Sequence, residues 1–204
     1  MARPNAGTKG VPRLDRETQI LSIASEQFAT YGFAGTSVGT VADLAGISKP
    51  LIYNYFGSKE GLYEACLVRG GTLVADEIER IARGEAVGIQ RGIDTLAGMF
   101  TLLEGQRHLW RLFFDSTAPT EGPIAASIAV YTDRIGALAE EGVAELMTLV
   151  GNDDELDVSA MTSVWLGIVD SLMNWWVEHP EQTADEMRQR CVRLLTALLD
   201  GGSR

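Results

Sequence analysis

Apolar residues recur every three or four positions along most of the chain, which is the spacing of amphipathic α-helices. The first such stretch begins at Leu14, passes through Phe28 and ends at Gly32, a residue that suits a left-handed helix cap. The sequence shows no strand-like alternation of useful length and no internal repeat. The pattern therefore predicts an all-α protein.

Clusters of glycine, proline and acidic residues interrupt this pattern. The clearest breaks are the loop at 116–123 and the acidic loop at 151–157. The last helix opens on a capping box formed by Thr183 and Glu186. We predict helices at about 14–31, 38–45, 49–56, 59–83, 87–103, 106–114, 123–150, 158–178 and 183–199.

The second and third of these helices are short and are joined by a tight turn. Gly46 lies in this turn, where a positive backbone φ is needed. On a helical wheel Ile52 and Phe56 share one face of the third helix, and Val41 and Ala42 supply the facing apolar surface of the second. This arrangement predicts a helix-turn-helix.

The same wheel turns the opposite face of the third helix outward. Lys49 at the flank of this face can reach the acceptor edge of guanine, and the carbons of Pro50 can touch a thymine methyl group. Tyr53 and Tyr55 lie at its rim, where a phenolic hydroxyl can donate to a phosphate oxygen. The alternative interpretation is an ordinary pair of crossing helices with surface tyrosines.

Charge is distributed unevenly along the chain. The net charge is −11, which by itself argues against a nucleic-acid partner. Residues 1–60, however, carry six Lys or Arg against five Asp or Glu, whereas residues 61–204 carry eleven Arg against 23 acidic residues. We therefore expect only the N-terminal part to approach a polyanion.

Composition also bears on location. Cys66 and Cys191 are the only cysteines, so a disulfide framework is not expected and a reducing cytoplasm is the default. We find no signal-peptide pattern, and no apolar run close to the roughly 20 residues of a membrane span, so no membrane partner is expected. Residues 1–13 are rich in Gly and Pro and are predicted to form a disordered basic arm.

The segment from Phe33 to Tyr63, FAGTSVGTVADLAGISKPLIYNYFGSKEGLY, resembles the N-terminal domain of the TetR/AcrR family of bacterial transcriptional regulators. The resemblance covers about 14–63, under a third of the chain. The matching residues are Phe28, Tyr31, Gly32, Gly35, Thr36, Ser37, Val41, Ala42, Ala45, Gly46, Ile47, Ser48, Ile52, Tyr53, Tyr55, Phe56, Ser58, Lys59, Glu60 and Leu62.

The resemblance implies an all-helical homodimer whose third helix enters the major groove of an operator. It implies a three-helix DNA-binding domain at 14–60 and a larger helical domain for ligand binding and dimerisation at 61–204. Gly39 has no side chain where some relatives read a base, so direct readout is expected from the third helix alone. The expected DNA-binding residues are Thr36, Ser37, Thr40, Ser48, Lys49, Pro50, Leu51, Tyr53, Tyr55 and Lys59.

The helices at 158–178 and 183–199 carry more apolar surface than one chain obviously covers. The first is apolar on several faces, with a stripe of small residues at Ser163, Gly167 and Ser171 that permits close helix packing. We expect these two helices to pair with those of a second copy in a four-helix bundle, as the resemblance also implies. The alternative is packing within one chain only.

The segment between Met99 and Phe114 is dense in large apolar side chains, and together with residues on later helices it can line a ligand cavity with a few orienting polar groups. Ordinary core packing is the alternative for each of these residues. The candidate ligand-binding residues are Met99, Phe100, His108, Trp110, Phe113, Phe114, Tyr131, Met147, Trp165, Asp170, Met173, Asn174 and Trp175.

Enzymatic and metal-binding functions find little support in the sequence. It contains no glycine-rich phosphate loop and no Cys/His metal spacing. The acidic loop at 151–157 lacks the central glycine and terminal glutamate of an EF-hand, and Glu104 with His108 suggests no third ligand. We expect no enzyme activity, no cofactor and no bound metal.

We therefore expect a cytoplasmic bacterial protein, associated with the nucleoid when bound to DNA. Its expected function is a ligand-responsive regulator, a repressor released from a palindromic operator by a small, largely apolar molecule. Two alternatives stay open at this point. One is a weakly specific DNA binder without a ligand, and the other is a small helical enzyme or sequestering module with a vestigial DNA-binding corner.

Overall fold

The structure, a computed structural model, describes residues 12–200, with side chains up to residue 197. Residues 1–11, most of the predicted arm, lie outside this range. Within the described residues the fold is all-α, as predicted, and contains no strand. Its helices are α1 (Arg13–Gly35), α2 (Val38–Leu44), α3 (Lys49–Phe56), α4 (Lys59–Ala82), α5 (Gly88–Leu103), α6 (His108–Arg111), α7 (Pro123–Leu149), α8 (Glu155–Glu178) and α9 (Ala184–Asp200).

The chain folds into two compact units. Unit 1 contains the described residues up to Gly70 together with His108–Ile128, and unit 2 contains Gly71–Arg107 together with the described residues from Ala129 onward. Unit 1 therefore includes α1, the short helices α2 and α3, the first half of α4, α6 and the start of α7. The division predicted at residue 60 assigns the segment 108–128 to the second domain. In the structure this segment lies in unit 1, with the N-terminal helices.

The core of unit 1 forms around buried apolar residues of α1 and α4. Ile20, Ala24 and Phe28 lie on one stripe of α1 at helical spacing, and all three are buried. The ring of Phe28 meets the buried ring of Tyr63 edge to face, with 4.8 Å between centroids. Cys66 lies beside them on α4 and is also fully buried.

In unit 2, α5 packs against α9, and the largest buried side chain is Trp176 of α8. Its ring meets Phe100 of α5 edge to face at 5.1 Å. The guanidinium of Arg107 lies 3.8 Å from the Trp176 ring and donates to the carbonyls of Trp176, His179 and Gln182. Arg107 thus adds hydrogen bonds to carbonyls at the end of α8 and in the loop that follows it.

Two predicted helix boundaries need correction. The segment 106–114 is helical only at α6, and a single 3-10 turn follows at Leu112–Phe114. The acidic loop at 151–157 is shorter than predicted, because α8 begins at Glu155. Asp154 caps this helix, and its carboxylate accepts from the amides of Leu156 and Asp157.

The caps predicted from sequence are otherwise largely present. The Thr183–Glu186 capping box is confirmed, since the Glu186 amide donates to the Thr183 hydroxyl and the Thr183 amide donates to the Glu186 carboxylate. Ser37 caps α2 by accepting from the amide of Gly39 at 3.2 Å. Gly32 has a positive φ of 70°, as a cap requires, but its ψ of 172° extends the chain rather than closing a left-handed turn.

Helix α8 is long and strongly apolar. By length and composition alone it passes the test for a membrane-crossing helix, which the core helix of a soluble protein also passes. Only 17% of its most apolar stretch is buried within the chain. Val169, Met173 and Trp176 form its buried stripe, while Met161 and Val164 are exposed. The expectation that no segment approaches a membrane span is therefore corrected for α8.

Candidate nucleic-acid interface

The turn between α2 and α3 has the geometry that the sequence predicts for a helix-turn-helix. Gly46 adopts a φ of 66°, so a residue with a side chain would be strained there. The Gly46 amide donates to the carbonyl of Asp43, and the Ile47 amide reaches back to that of Ala42 at 3.0 Å. These bonds close α2 and fix the direction in which α3 leaves the turn.

Helix α3 buries one residue fully and leaves most of the others accessible. Ile52 is completely buried, whereas Phe56 is only half-buried. The buried face of α3 is therefore narrower than the face predicted from these two residues. Lys49 and Pro50 are exposed, and Tyr53 is 38% exposed. The exposed face thus carries an ammonium group, a proline ring and a phenol in its first two turns.

The side chains of α3 support one another at the surface. The Lys49 ammonium lies 5.7 Å from the centre of the Tyr53 ring, close enough for a cation–π contact. At the flank, the guanidinium of Arg13 lies 5.4 Å from the Tyr55 ring. Arg13 begins α1, and nothing in the local sequence pattern predicts a role for it. The fold brings the guanidinium of Arg13 beside α3, where it adds a positive charge to this surface.

Thr36 does not lie on this surface. It is 4% exposed, and its hydroxyl lies 2.8 Å from the Gly32 carbonyl and 3.0 Å from that of Gln27. A buried hydroxyl bonded to backbone oxygens has no access to a phosphate group. Its inclusion among the DNA-binding residues is corrected for this reason, because the hydroxyl stabilises the end of α1 instead.

The other hydroxyl groups remain at the surface. Ser37 and Thr40 are exposed on α2, although the Ser37 oxygen also serves as the helix cap. Ser48 is exposed at the N-cap of α3, and among the described residues its side chain accepts no capping hydrogen bond from that helix. Leu51 and Tyr55 are half-buried. Thr40 and Ser48 are therefore the hydroxyls best placed for outside contacts.

Lys59 is held more tightly than the sequence suggests. Its ammonium lies 3.4 Å from the Ala34 carbonyl and 4.7 Å from the centre of the Phe33 ring. The start of α4 is capped by Ser58, which accepts from the Gly61 amide at 3.0 Å. Lys59 thus ties the start of α4 to the end of α1 as well as presenting a positive charge.

The candidate ligand residues divide between the two units. Unit 1 holds His108, Trp110, Phe113 and Phe114, of which Phe114 is 55% exposed. Burial lowers the pKa of His108, against an opposing effect of Glu26, so the neutral imidazole is favoured. The rings of Trp110 and Phe114 are in contact, with centroids 5.3 Å apart.

The remaining candidates lie in unit 2 and fall into two groups by burial. Met99, Phe100 and Met173 are fully buried and act as core residues in this structure. The half-buried group keeps some accessible surface. It comprises Tyr131, Met147, Trp165, Asp170, Asn174 and Trp175.

Two contacts organise the half-buried group. The Asn174 amide donates to Asp170 at 2.9 Å, one turn earlier on α8. Trp165 packs directly over Gly92 of α5, where an added Cβ would lie 3.2 Å from the indole ring. Among the described residues, no group of three or more His, Cys, Asp or Glu side chains is arranged to hold a metal ion.

A helix-turn-helix with a polar and aromatic outer face is typical of DNA-binding proteins. Similarity to known proteins identifies the family. Residues 20–66 match the profile of the bacterial regulatory proteins of the tetR family. The transcriptional activator FasR of Mycolicibacterium smegmatis is 29% identical over 180 residues, which cover 85% of this chain and 79% of FasR.

Solved structures share the fold. A TetR-like regulator from Rhodococcus sp. RHA1 superposes with a TM-score of 0.70 at 24% identity, over 94% of this chain and 100% of that one. FadR of Bacillus subtilis, in complex with stearoyl-CoA, gives a TM-score of 0.72 at 19% identity, over 90% of this chain and 98% of FadR. The N-terminal region of the chain, at residues 20–66, is therefore that of the tetR family of bacterial regulatory proteins, and the whole chain shares the fold of TetR-like regulators.

These findings confirm the predicted family, the all-α fold with an N-terminal helix-turn-helix and the assignment to regulators rather than enzymes. A DNA-binding regulator of this family acts in the cytoplasm. The roles of single residues in DNA or ligand binding remain predictions, and so does the direction of regulation. FasR is a transcriptional activator, whereas the prediction from sequence is a repressor.

Proposed function

We propose that this protein is a homodimeric regulator that binds a near-palindromic operator through α3 and leaves it when an apolar ligand binds. Residues 14–60 would bind DNA, and residues 61–204 would bind the ligand and the second copy. The observation that carries the proposal is the outer face of α3, where Lys49, Pro50 and Tyr53 are accessible while Ile52 anchors the helix. Bases are contacted by Lys49, Pro50 and Leu51.

Phosphate contacts surround this base-reading face. We assign them to the exposed hydroxyls of Thr40 and Ser48 and to the rim residues Tyr53, Tyr55 and Lys59. Ser37 contributes its hydroxyl only in part, because the oxygen already caps α2. The local charge supports this assignment, since the basic residues of the N-terminal quarter offset its acidic residues while the rest of the chain is strongly acidic.

The second copy is expected on α8 and α9. Met161 and Val164 of α8 and Val192 and Leu194 of α9 are between 38% and 55% exposed in the single chain. An apolar helix surface of this kind is stabilised when another helix covers it. A twofold axis beside α8 brings the same surface of the partner onto it, which forms a four-helix bundle.

The ligand is expected to be largely apolar. The half-buried candidate residues of unit 2 include three large aromatic side chains, Tyr131, Trp165 and Trp175, and one acidic side chain, Asp170. B. subtilis FadR, which shares the fold, is solved with stearoyl-CoA, a molecule with a long alkyl chain. We infer that a ligand of this chemistry favours a DNA-incompetent state, since a ligand shifts an equilibrium only by binding the two states unequally.

Footprinting with genomic DNA fragments tests the DNA-binding part. One protected palindrome, with half-sites about one helical turn apart, is expected, and affinity should fall steeply with salt. Diffuse protection would favour the weakly specific DNA binder. The sequestering module would be favoured by two results together. The unsubstituted protein would bind no DNA, and a double variant with Lys49→Ala and Tyr53→Ala would still bind the ligand.

A thermal-shift titration tests the ligand. Stearoyl-CoA is expected to raise the Tm and to release the protein from its footprint, while free coenzyme A does neither. Trp165→Leu should reduce the shift, and Tyr31→Leu, which changes an exposed aromatic of unit 1, serves as the control. A shift with small charged metabolites but not with acyl chains would contradict the proposal. Transcription from the footprinted promoter, measured with and without the protein, gives the direction of regulation.

A further inference from the structure

The end of α1 is held by side chains from a distant part of the sequence. The backbone leaves the helix at Gly32, so the next amides turn away from the helical ladder. The Phe33 amide donates to the carboxylate of Asp115 at 2.5 Å, and the Ala34 amide donates to the hydroxyl of Thr117 at 3.1 Å. Two backbone donors thus find partners more than 80 positions away, within unit 1.

Asp115 and Thr117 are themselves fixed in place. One carboxylate oxygen of Asp115 accepts from the Thr117 amide at 2.9 Å and from the Thr117 hydroxyl at 2.7 Å. The other oxygen lies 3.2 Å from the hydroxyl of Tyr63, which also donates to the Leu112 carbonyl at 2.9 Å. Since Tyr63 is fully buried, its hydroxyl anchors Asp115 to the core of unit 1, and Asp115 in turn holds Thr117.

The fit leaves room only for glycine at position 32. A Cβ there would lie 2.6 Å from the Thr117 hydroxyl and 3.1 Å from the Asp115 carboxylate. The φ of 70° disfavours a side chain independently of this space. Gly32 therefore serves two purposes, since it redirects the backbone and admits the segment that binds the redirected amides.

The same backbone leads directly into the DNA-binding helices. The Ala34 carbonyl accepts from Lys59, and the Thr36 hydroxyl contacts the Gly32 carbonyl. Ser37, the cap of α2, follows one residue later. The conformation of residues 32–37 therefore determines where α2 begins and, through the tight turn, where α3 points.

We propose that Asp115 and Thr117 are positioning residues for DNA binding, which fix the backbone of residues 32–37 and so orient α2 and α3 without touching the operator. Both lie outside the family match at 20–66. The inference rests on the DNA-binding function proposed above. It also implies that the helix-turn-helix is incomplete without the segment that follows α6.

Operator affinity of full-length variants at fixed salt tests this role. Thr117→Val is expected to weaken binding about tenfold, because the Ala34 amide loses its acceptor, while Thr117→Ser keeps the hydroxyl and stays within about twofold. Asp115→Asn should weaken binding to a similar extent. Thr30→Val, which removes an exposed hydroxyl from α1, is the matched control and should bind as the unsubstituted protein does.

Two further measurements separate positioning from other roles. The salt dependence of affinity should keep its slope in Thr117→Val, since no phosphate contact is lost, and the amides of Phe33 and Ala34 should exchange hydrogen faster. Unchanged affinity in both Thr117→Val and Asp115→Asn, an equal loss in Thr117→Ser, or a reduced salt slope would each overturn the inference. Failure of the unsubstituted protein to footprint any palindrome would instead overturn the proposed function.

Discussion

Helices α3 and α8 are both only partly buried, but the residues on their accessible sides differ in chemistry. Each buries a narrow stripe, namely Ile52 in α3 and Val169, Met173 and Trp176 in α8, and each leaves its other faces accessible. The accessible side of α3 carries Lys49 and other groups that can bind a polar surface. The accessible side of α8 carries no Lys or Arg, and it exposes the apolar side chains of Leu156, Met161 and Val164 between small and acidic residues.

The contrast shows that exposure by itself does not identify a partner. An ammonium and a phenol at the surface are compatible with water and gain from contact with a polyanion. Aliphatic side chains such as Val164, which is 55% exposed, gain from an apolar cover. This difference in surface chemistry is the reason that we propose DNA as the partner of α3 and a second protein helix as the partner of α8.

The largest expected effect comes from the buried stripes, where the two helices should behave alike. Ile52→Ala and Met173→Ala each remove a fully buried side chain, and each should lower the free energy of unfolding by about 2–5 kcal/mol. Urea denaturation measures the change. Leu44→Ala, at an exposed position of α2, should cost much less, and a loss below about 1 kcal/mol for Ile52→Ala would show that α3 is not anchored as described.

The next effect should separate the helices. Val164→Glu places two carboxylates in a twofold interface and should raise the dimer dissociation constant at least about 100-fold. Sedimentation equilibrium gives this constant. Val87→Glu changes an exposed valine outside α8 and α9 and should leave the dimer intact. Equal behaviour of the two variants would show that α8 is not the interface.

A smaller effect is expected on the polar side of the comparison. Lys49→Ala should weaken operator binding about 10–100-fold, the usual range for losing a good base contact, without changing the dimer. Tyr53→Phe keeps the ring beneath Lys49 and should cost only a few-fold. Fluorescence anisotropy measures both affinities. Arg111→Ala removes an exposed cation of unit 1 and controls for net charge, and a similar loss in that variant would argue for a merely electrostatic role of Lys49.

The smallest expected effect is on the free energy of unfolding at low pH. Burial opposes ionisation of Asp115, but hydrogen bonds from Thr117, Phe33 and Tyr63 outweigh it and lower the pKa of its carboxyl group. A lowered folded-state pKa stabilises unit 1 above the unfolded value near 4 and loses this stabilisation as the pH falls through the folded pKa. The unfolding free energy of Asp115→Asn should therefore depend less on pH below about 4.

Urea denaturation between pH 6 and pH 3 measures this difference. Asp133→Asn, on an exposed position of α7, is the control and should keep the pH dependence of the unsubstituted protein. Identical pH profiles for Asp115→Asn and the unsubstituted protein would show that the ionised carboxylate contributes nothing to stability.

Local sequence patterns predicted α3 well because its determinants are close together. Gly46 and Ile52 lie within seven positions of each other, and their roles follow from turn chemistry and helical periodicity alone. Thr36 shows the limit of such reasoning. A threonine before a helix suggests a surface hydroxyl, but its partners are the carbonyls of Gly32 and Gln27, which only the folded end of α1 brings together.

Contacts between distant residues were beyond the sequence. The bond between Asp115 and the Phe33 amide joins positions 82 residues apart, and no periodicity encodes such a pair. The exposed side of α8 was ambiguous for a different reason. A helix that is apolar most of the way round gives no sign of which stripe its own chain covers, so the choice between Met161 and Met173 required the fold.

The two thiols of the protein have a consequence for what the regulator can sense. Burial raises the pKa of Cys66 to about 12 and that of Cys191 to about 11, so thiolate is scarce at neutral pH. Peroxides and alkylating agents attack the thiolate form, and neither sulfur is accessible to them. Oxidants and alkylating agents should therefore leave both cysteines unmodified while the protein is folded, and a redox response through these two thiols is not expected.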